Sequence, residues 1–85
     1  MKNILFLFTP FQERDYERFG INILKRNFQV KILDCTPWIY KNYWKLYSKD
    51  SYKSEDSLIV NNREDFLKYI SQLDNAFVVE NLPNN

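Results

Sequence analysis

Five large apolar residues follow one another without a break, Ile4-Leu5-Phe6-Leu7-Phe8, and stop at Thr9-Pro10. Side chains of a strand alternate between the two faces of its sheet, so a run with no polar gap requires cover on both faces. The run is too short to span a bilayer or to form the core of a secretory leader, and no small-residue cleavage site follows it. It therefore predicts the central strand of a parallel sheet with helices above and below. With 85 residues the chain makes a single α/β domain over 1–85, and a globule of this size buries only about 60 to 65% of its unfolded surface.

The pattern then alternates. Thr9-Pro10-Phe11-Gln12 has the spacing of a capping box with Pro at the first helical position. Tyr16, Phe19, Gly20, Ile23 and Leu24 form one helical stripe, with Glu13, Arg14, Glu17, Arg18 and Lys25 off it. Gly20, the only glycine, costs about 1 kcal/mol of helix propensity inside that stripe, for which close approach of helix to strand would compensate. Phe28, Val30 and Ile32 alternate with Gln29 and Lys31, a second strand less thoroughly buried than the first and ending at Asp34. Thr36-Pro37 repeats the corner, and Ile39, Tyr43 and Leu46 line one face of a short helix reaching Tyr47. A polar loop follows, then an edge strand over Ser57–Val60. Asn61 or Asn62 caps the next helix, whose buried side is Phe66, Leu67, Ile70 and Leu73, and Ala76–Val79 is the fourth strand.

Strands alternating with helices across short links predict a four-stranded, mainly parallel sheet in the order 3-2-1-4 with helices on both faces, half of a Rossmann-like domain. "ENLPNN" stands where another crossover helix is due, so the chain reads as an N-terminal portion of a longer one.

Composition removes several chemistries. There is no His, which takes away the usual imidazole base and the commonest zinc ligand, and the single Cys35 permits no internal disulfide. Cys35 reads as a small buried apolar residue in a reducing cytoplasm. A net charge of +1 provides no overall field toward nucleic acid or anionic lipid. No metal site is expected.

Ligands of such sheets gather at the carboxyl ends of the strands. Three segments are predicted to meet there: Thr9 to Glu13, Asp34 to Trp38, and Glu80 to Leu82. The candidate ligand-facing residues are Thr9, Phe11, Gln12, Glu13, Asp34, Thr36, Trp38, Glu80 and Asn81. "FTPFQERD" lacks the glycines that let backbone approach a pyrophosphate, so plain capping by Thr9 and Gln12 is the favoured reading. Asp34 lies about twenty residues past the first corner, where a dinucleotide-binding domain keeps a ribose-binding acid. Capping of the following Thr-Pro turn explains it better.

The segment after the second strand is crowded with rings. Trp38, Tyr40, Tyr43, Trp44 and Tyr47 lie among Lys41, Lys45 and Lys49, the lysines four apart. Three readings compete: packing on the sheet with lysine stems over the rings, a patch for another domain or subunit, or stacking on sugar or base faces. The near-neutral charge and the lack of a recognition motif argue against nucleic acid.

Over Arg14–Trp38 the sequence resembles the opening of bacterial surface-carbohydrate glycosyltransferase-like proteins of the GT-B architecture. The resemblance rests on Arg14-Asp15-Tyr16, Arg18-Phe19-Gly20, the Leu24-Lys25 helix end, and the strand closing on Asp34 and Thr36-Pro37. It implies two Rossmann-like domains facing across a cleft, a nucleotide-sugar held by a C-terminal donor-binding domain, and a carbohydrate acceptor on the N-terminal side. This chain would be that acceptor half, without cofactor of its own. The family's base is commonly His or a carboxylate; with no His, no catalytic residue carries over, and Glu13 and Asp34 are the remaining carboxylates to test against geometry. The alternative is a non-enzymatic interaction module whose aromatic and lysine face, residues 38–53, binds protein or single-stranded nucleic acid. An uncovered last strand also predicts pairing between copies.

Overall fold

The computed structural model describes residues 2–48 and 53–82. The apolar run forms β1 (Lys2–Phe8), followed along the chain by the strands β2 (Phe28–Asp34), β3 (Ser57–Ile59) and β4 (Ala76–Asn81). All pairings are parallel and the order is β3-β2-β1-β4, as the alternation predicts. β1 is central. Its Asn3 pairs with Gln29 and Ala76, and its Phe8 with Asp34 and Asn81.

Alternate residues of β1 feed two cores. Ile4, Phe6 and Phe8 meet Val30 and Ile32 of β2, with Phe11 and Ile21 over them. The covering helices are α1 (Glu13–Arg18) and α2 (Ile21–Leu24). Leu5 and Leu7 point the other way, joining Leu33, Cys35 and Val60 under α3 (Thr36–Ile39) and α5 (Arg63–Ile70), which contribute Trp38, Ile39, Phe66, Tyr69 and Ile70. Helices thus cover both faces, the doubly wound half-domain expected. Each buried Phe, Leu or Ile stabilises by roughly 1.5–3 kcal/mol, and Phe11 adds edge-to-face contacts with Phe6 and Phe8 at 6.0 and 5.1 Å between ring centres.

The first crossover differs from the predicted single helix. Gly20 adopts φ 61°, ψ 44° between α1 and α2, a left-handed conformation that a Cβ makes costly. A Cβ there would meet only Ile23 Cδ1, at 4.0 Å, so backbone geometry and not close approach to a strand calls for glycine. The turn takes Ile23 out of the stripe, leaving it 64% exposed, while Tyr16, Phe19 and Leu24 stay on the core.

The capping device is also displaced. Thr9 and Pro10, joined by a cis peptide, form a bend, and α1 begins after an extended Gln12. Asp15 supplies the returning contact: its Oδ2 accepts the Gln12 N–H at 2.9 Å. A carboxylate in the first turn also suits the positive end of the helix dipole, which an uncharged Gln12 at that position would not.

In the second crossover, Tyr40 breaks the predicted helix into α3 and α4 (Lys41–Tyr47), with φ −127°, ψ 69°. The expected face of Ile39, Tyr43 and Leu46 is therefore discontinuous. Ile39 packs, Leu46 is 82% exposed, and Tyr47 is the residue α4 buries. Lys49 and the loop residues 49–52 lie outside the described residues.

α5 starts where expected, Asn62 Oδ1 accepting the Asp65 N–H at 2.8 Å. Leu67, predicted buried, is exposed, and Tyr69 packs in its stead. β4 runs past Val79, so Glu80 and Asn81 belong to the strand. Among the described residues no helix is long and apolar enough to cross a membrane.

Candidate functional site at the carboxyl rim

Parallel register brings the three predicted segments to one rim. Phe8, Asp34 and Asn81 end their strands side by side, and Ile59 of β3 stands next to Asp34. The nine candidate residues then separate by burial. Phe11 is 2% exposed, Asp34 2% and Thr36 0%, so these three belong to the interior of the corner. Trp38 is half-buried against the Phe66 ring, 5.5 Å between centres. Thr9 and Gln12 are half-buried at the rim, while Glu13, Glu80 and Asn81 are exposed. Glu80 closes a local turn, accepting the Leu82 N–H at 3.2 Å.

Asp34 is the most constrained of them. Its Oδ1 accepts the Thr36 N–H at 3.0 Å and the Thr36 hydroxyl, which is the cap of the Thr-Pro turn favoured by sequence. Its Oδ2 is buried and receives no hydrogen bond of ordinary geometry. Desolvation pushes the carboxyl pKa up, opposed by the two Thr36 contacts and, more weakly, by the Phe11 amide. A carboxylate so enclosed has no route to an acceptor hydroxyl, which leaves Glu13 as the surface acid of the two. Cys35 beside it is fully buried, and desolvation followed by the Asp34 charge pushes its thiol up to about 12, far from a working nucleophile.

Tyr40 and Tyr43, 44% and 48% exposed, face Thr9 and Pro10 across a hollow of about 280 Å³. The sequence singled out both rings as part of the aromatic segment but did not pair them with the first corner. What sets them there is the break at Tyr40, together with the anchor at the far end of α4, where the Tyr47 hydroxyl donates to the Phe11 carbonyl. Lys41 and Lys45 lie exposed alongside. The arrangement offers ring faces with a hydroxyl of Thr9 nearby, suited to a flat, partly apolar ligand such as a sugar ring.

The residues behind the family resemblance have local structural work. Asp15 receives the Gln12 N–H and pairs with Arg18 at 3.1 Å; Arg18 also lies over the Phe19 ring at 4.7 Å. Gly20 makes the left-handed turn and Asp34 caps Thr36. They shape the corner that holds the site and do not themselves contact the hollow. No protein-family model matches the chain, and no curated protein or solved structure matches it.

Proposed function

We propose that the chain is the acceptor-side N-terminal domain of a GT-B-like glycosyltransferase of surface polysaccharide assembly, cytoplasmic and inactive alone. A C-terminal donor-binding domain would hold the nucleotide-sugar. The observation that supports this most is the hollow between Tyr40, Tyr43 and Thr9-Pro10 on the carboxyl rim of a Rossmann-like sheet, the rim where ligands of such sheets collect. Tyrosine faces fit the C–H face of a sugar, and Glu13 is the acid within the same corner that solvent reaches. Titration of the ¹⁵N-labelled chain with neutral oligosaccharides tests it. Saturable shifts at Thr9, Tyr40 and Tyr43 that Tyr43→Ala abolishes are expected; no shift at this rim with any oligosaccharide would refute the reading.

The second reading, an interaction module, draws on the 82% exposure of Leu46 on α4, the helix that also carries the exposed Lys41 and Lys45. Single-stranded oligonucleotides at two salt concentrations separate the two. Affinity falling steeply with salt favours the module. In either case the open edge of β4, with Phe77 60% and Val78 54% exposed, suits pairing with a second copy.

A further inference from the structure

β2 is an inner strand, yet the face it turns toward α5 is apolar over only part of its length. Leu33 on that face is fully buried, whereas Gln29 and Lys31, which alternation places on the same face, are exposed. The neighbours explain the difference. β3 has three residues and pairs only with Ile32, Leu33 and Asp34, so among the described residues no strand flanks β2 on its outer side at Gln29 and Lys31. On the inner side Lys31 stands beside Leu5 of β1, which α5 covers.

Between this strip and the end of α5 lies a hollow of about 150 Å³. Leu58, Tyr69 and Leu73, each half-buried, give it an apolar wall over a buried floor of Leu5 and Leu33. Its polar side is Gln29, Lys31 and Gln72, all exposed. These three and the Tyr69 hydroxyl can each donate a hydrogen bond, and among the described residues none has a side-chain partner within the protein. Lys31 carries the one charge, since no described residue lining the hollow is acidic. Asp56, in an adjoining hollow along the edge of β2, is held by Lys25 at 2.9 Å and not by Lys31.

We propose that this hollow binds a small organic monocarboxylate, its carboxylate held by the Lys31 ammonium and the amide of Gln29 or Gln72, its apolar body against Leu58, Tyr69 and Leu73. The lining selects that class. A single lysine with neutral donors matches one negative charge, and a charge-assisted hydrogen bond is the strongest contact the site can offer. A neutral alcohol forgoes it. Inorganic phosphate leaves the leucines uncovered, and an amino acid brings an ammonium group that finds no acid in the lining. The volume is half or less of the roughly 300–1,000 Å³ of sites for drug-sized ligands, which limits the body to a short branched chain or one ring. The site lies on the opposite side of the sheet from α1 and α2 and is separate from the tyrosine hollow, so neither reading depends on the other.

The test uses the whole ¹⁵N-labelled chain at neutral pH, titrated with isovalerate and benzoate and, for comparison, with acetate, isoamyl alcohol, leucine and inorganic phosphate. Saturable shifts at the backbone amides of Lys31, Leu58 and Leu73 and the side-chain amides of Gln29 and Gln72 are expected with isovalerate or benzoate. Each comparison compound binds more weakly by about tenfold or more. Lys31→Met, at an exposed position, weakens carboxylate binding by about tenfold or more. Lys68→Met, which removes the same charge from an exposed position on α5 outside the hollow, leaves it unchanged. The proposal fails if neither carboxylate moves these groups, if any comparison compound binds as tightly, if Lys31→Met binds like wild type, or if Lys68→Met weakens binding equally.

Discussion

The hydroxyl of Tyr47 donates to the backbone carbonyl of Phe11 at 3.2 Å, joining the end of α4 to the loop that follows β1. Tyr47 is 8% exposed and its ring lies 5.6 Å from that of Tyr43. The contact fixes how far the aromatic segment stands from Thr9-Pro10. Tyr47→Phe keeps the ring and strands the carbonyl, so it should lower stability by about 1–3 kcal/mol, read as a reduced urea midpoint with an unchanged slope. Tyr47→Ala also opens a cavity and should cost about 3–5 kcal/mol. Equal midpoints for wild type and Tyr47→Phe would show that the contact does not hold α4.

Gly20 provides a second measurement. Since a Cβ finds room there but the backbone is left-handed, Gly20→Ala should cost about 1–2 kcal/mol through conformation alone. Gly20→Asn should cost less, because Asn tolerates that region better. Thermal unfolding of the two variants orders them; if Ala proved the milder replacement, the turn would not be left-handed in solution.

Asp34 makes stability depend on pH in a defined direction. Its folded pKa lies above the ordinary 3.8, so its contribution is fully present below that value and is lost as pH rises through the raised one. Asp34→Asn keeps an acceptor for Thr36 and carries no charge. Relative to wild type, the Asn variant should therefore gain stability on going from acid to neutral pH. Urea unfolding at both ends of that window checks the sign, and a loss toward neutral pH would mean that the Thr36 contacts outweigh desolvation.

Lys25, at the end of α2, pairs with Glu55 at 2.7 Å and Asp56 at 2.9 Å, fastening the first crossover to the approach of β3. Hydrogen bonds to Asp56 and then Glu55 raise the Lys25 pKa above its ordinary 10.5, and Lys25 lowers that of Glu55 below 4.5. The lysine's contribution is full below 10.5 and fades only in strong alkali; the glutamate's is present above 4.5 and fades as pH falls through its lowered value. Lys25→Met should reduce the thermal midpoint at neutral pH, by less in acid and by less in high salt. Asp56→Asn should hurt more than Glu55→Gln, since the side chain of Asp56 is 14% exposed against 79% for Glu55. A Lys25→Met difference that ignores salt and pH would remove charge from the explanation.

The uncovered side of β4 bears on assembly. Phe77 and Val78 are exposed beside backbone that β1 pairs on one side only. Sedimentation velocity over a concentration series should show reversible self-association, reduced by Val78→Lys, which places a charge on the edge. A concentration-independent monomer would contradict it.

What the sequence made legible was set by period and run length. Ile4–Phe8 announced a doubly covered strand, and the helix–strand alternation led to the strand order, because hydrophobic spacing reports burial directly. The two helix breaks were hidden for different reasons. Gly20 fits a helical stripe as well as it fits a turn, and only φ distinguishes them. Tyr40 carries no breaker signal; its bend depends on the distant hold of Tyr47 on Phe11, which local pattern does not contain. The same holds at the sites. The carboxyl rim followed from topology, whereas the meeting of Tyr40 and Tyr43 with Thr9-Pro10 did not, because it joins residues distant in sequence across the helix break at Tyr40.

Because β1 supplies alternate side chains to both clusters, neither half of the interior can assemble without it. Its second neighbour is far along the chain: Asn3 lies beside Ala76. A ribosome releases the central strand early and must deliver nearly everything else before that strand is flanked. Such distant pairing slows folding, and in the interval the apolar run depends on chaperones or on chance to stay out of trouble.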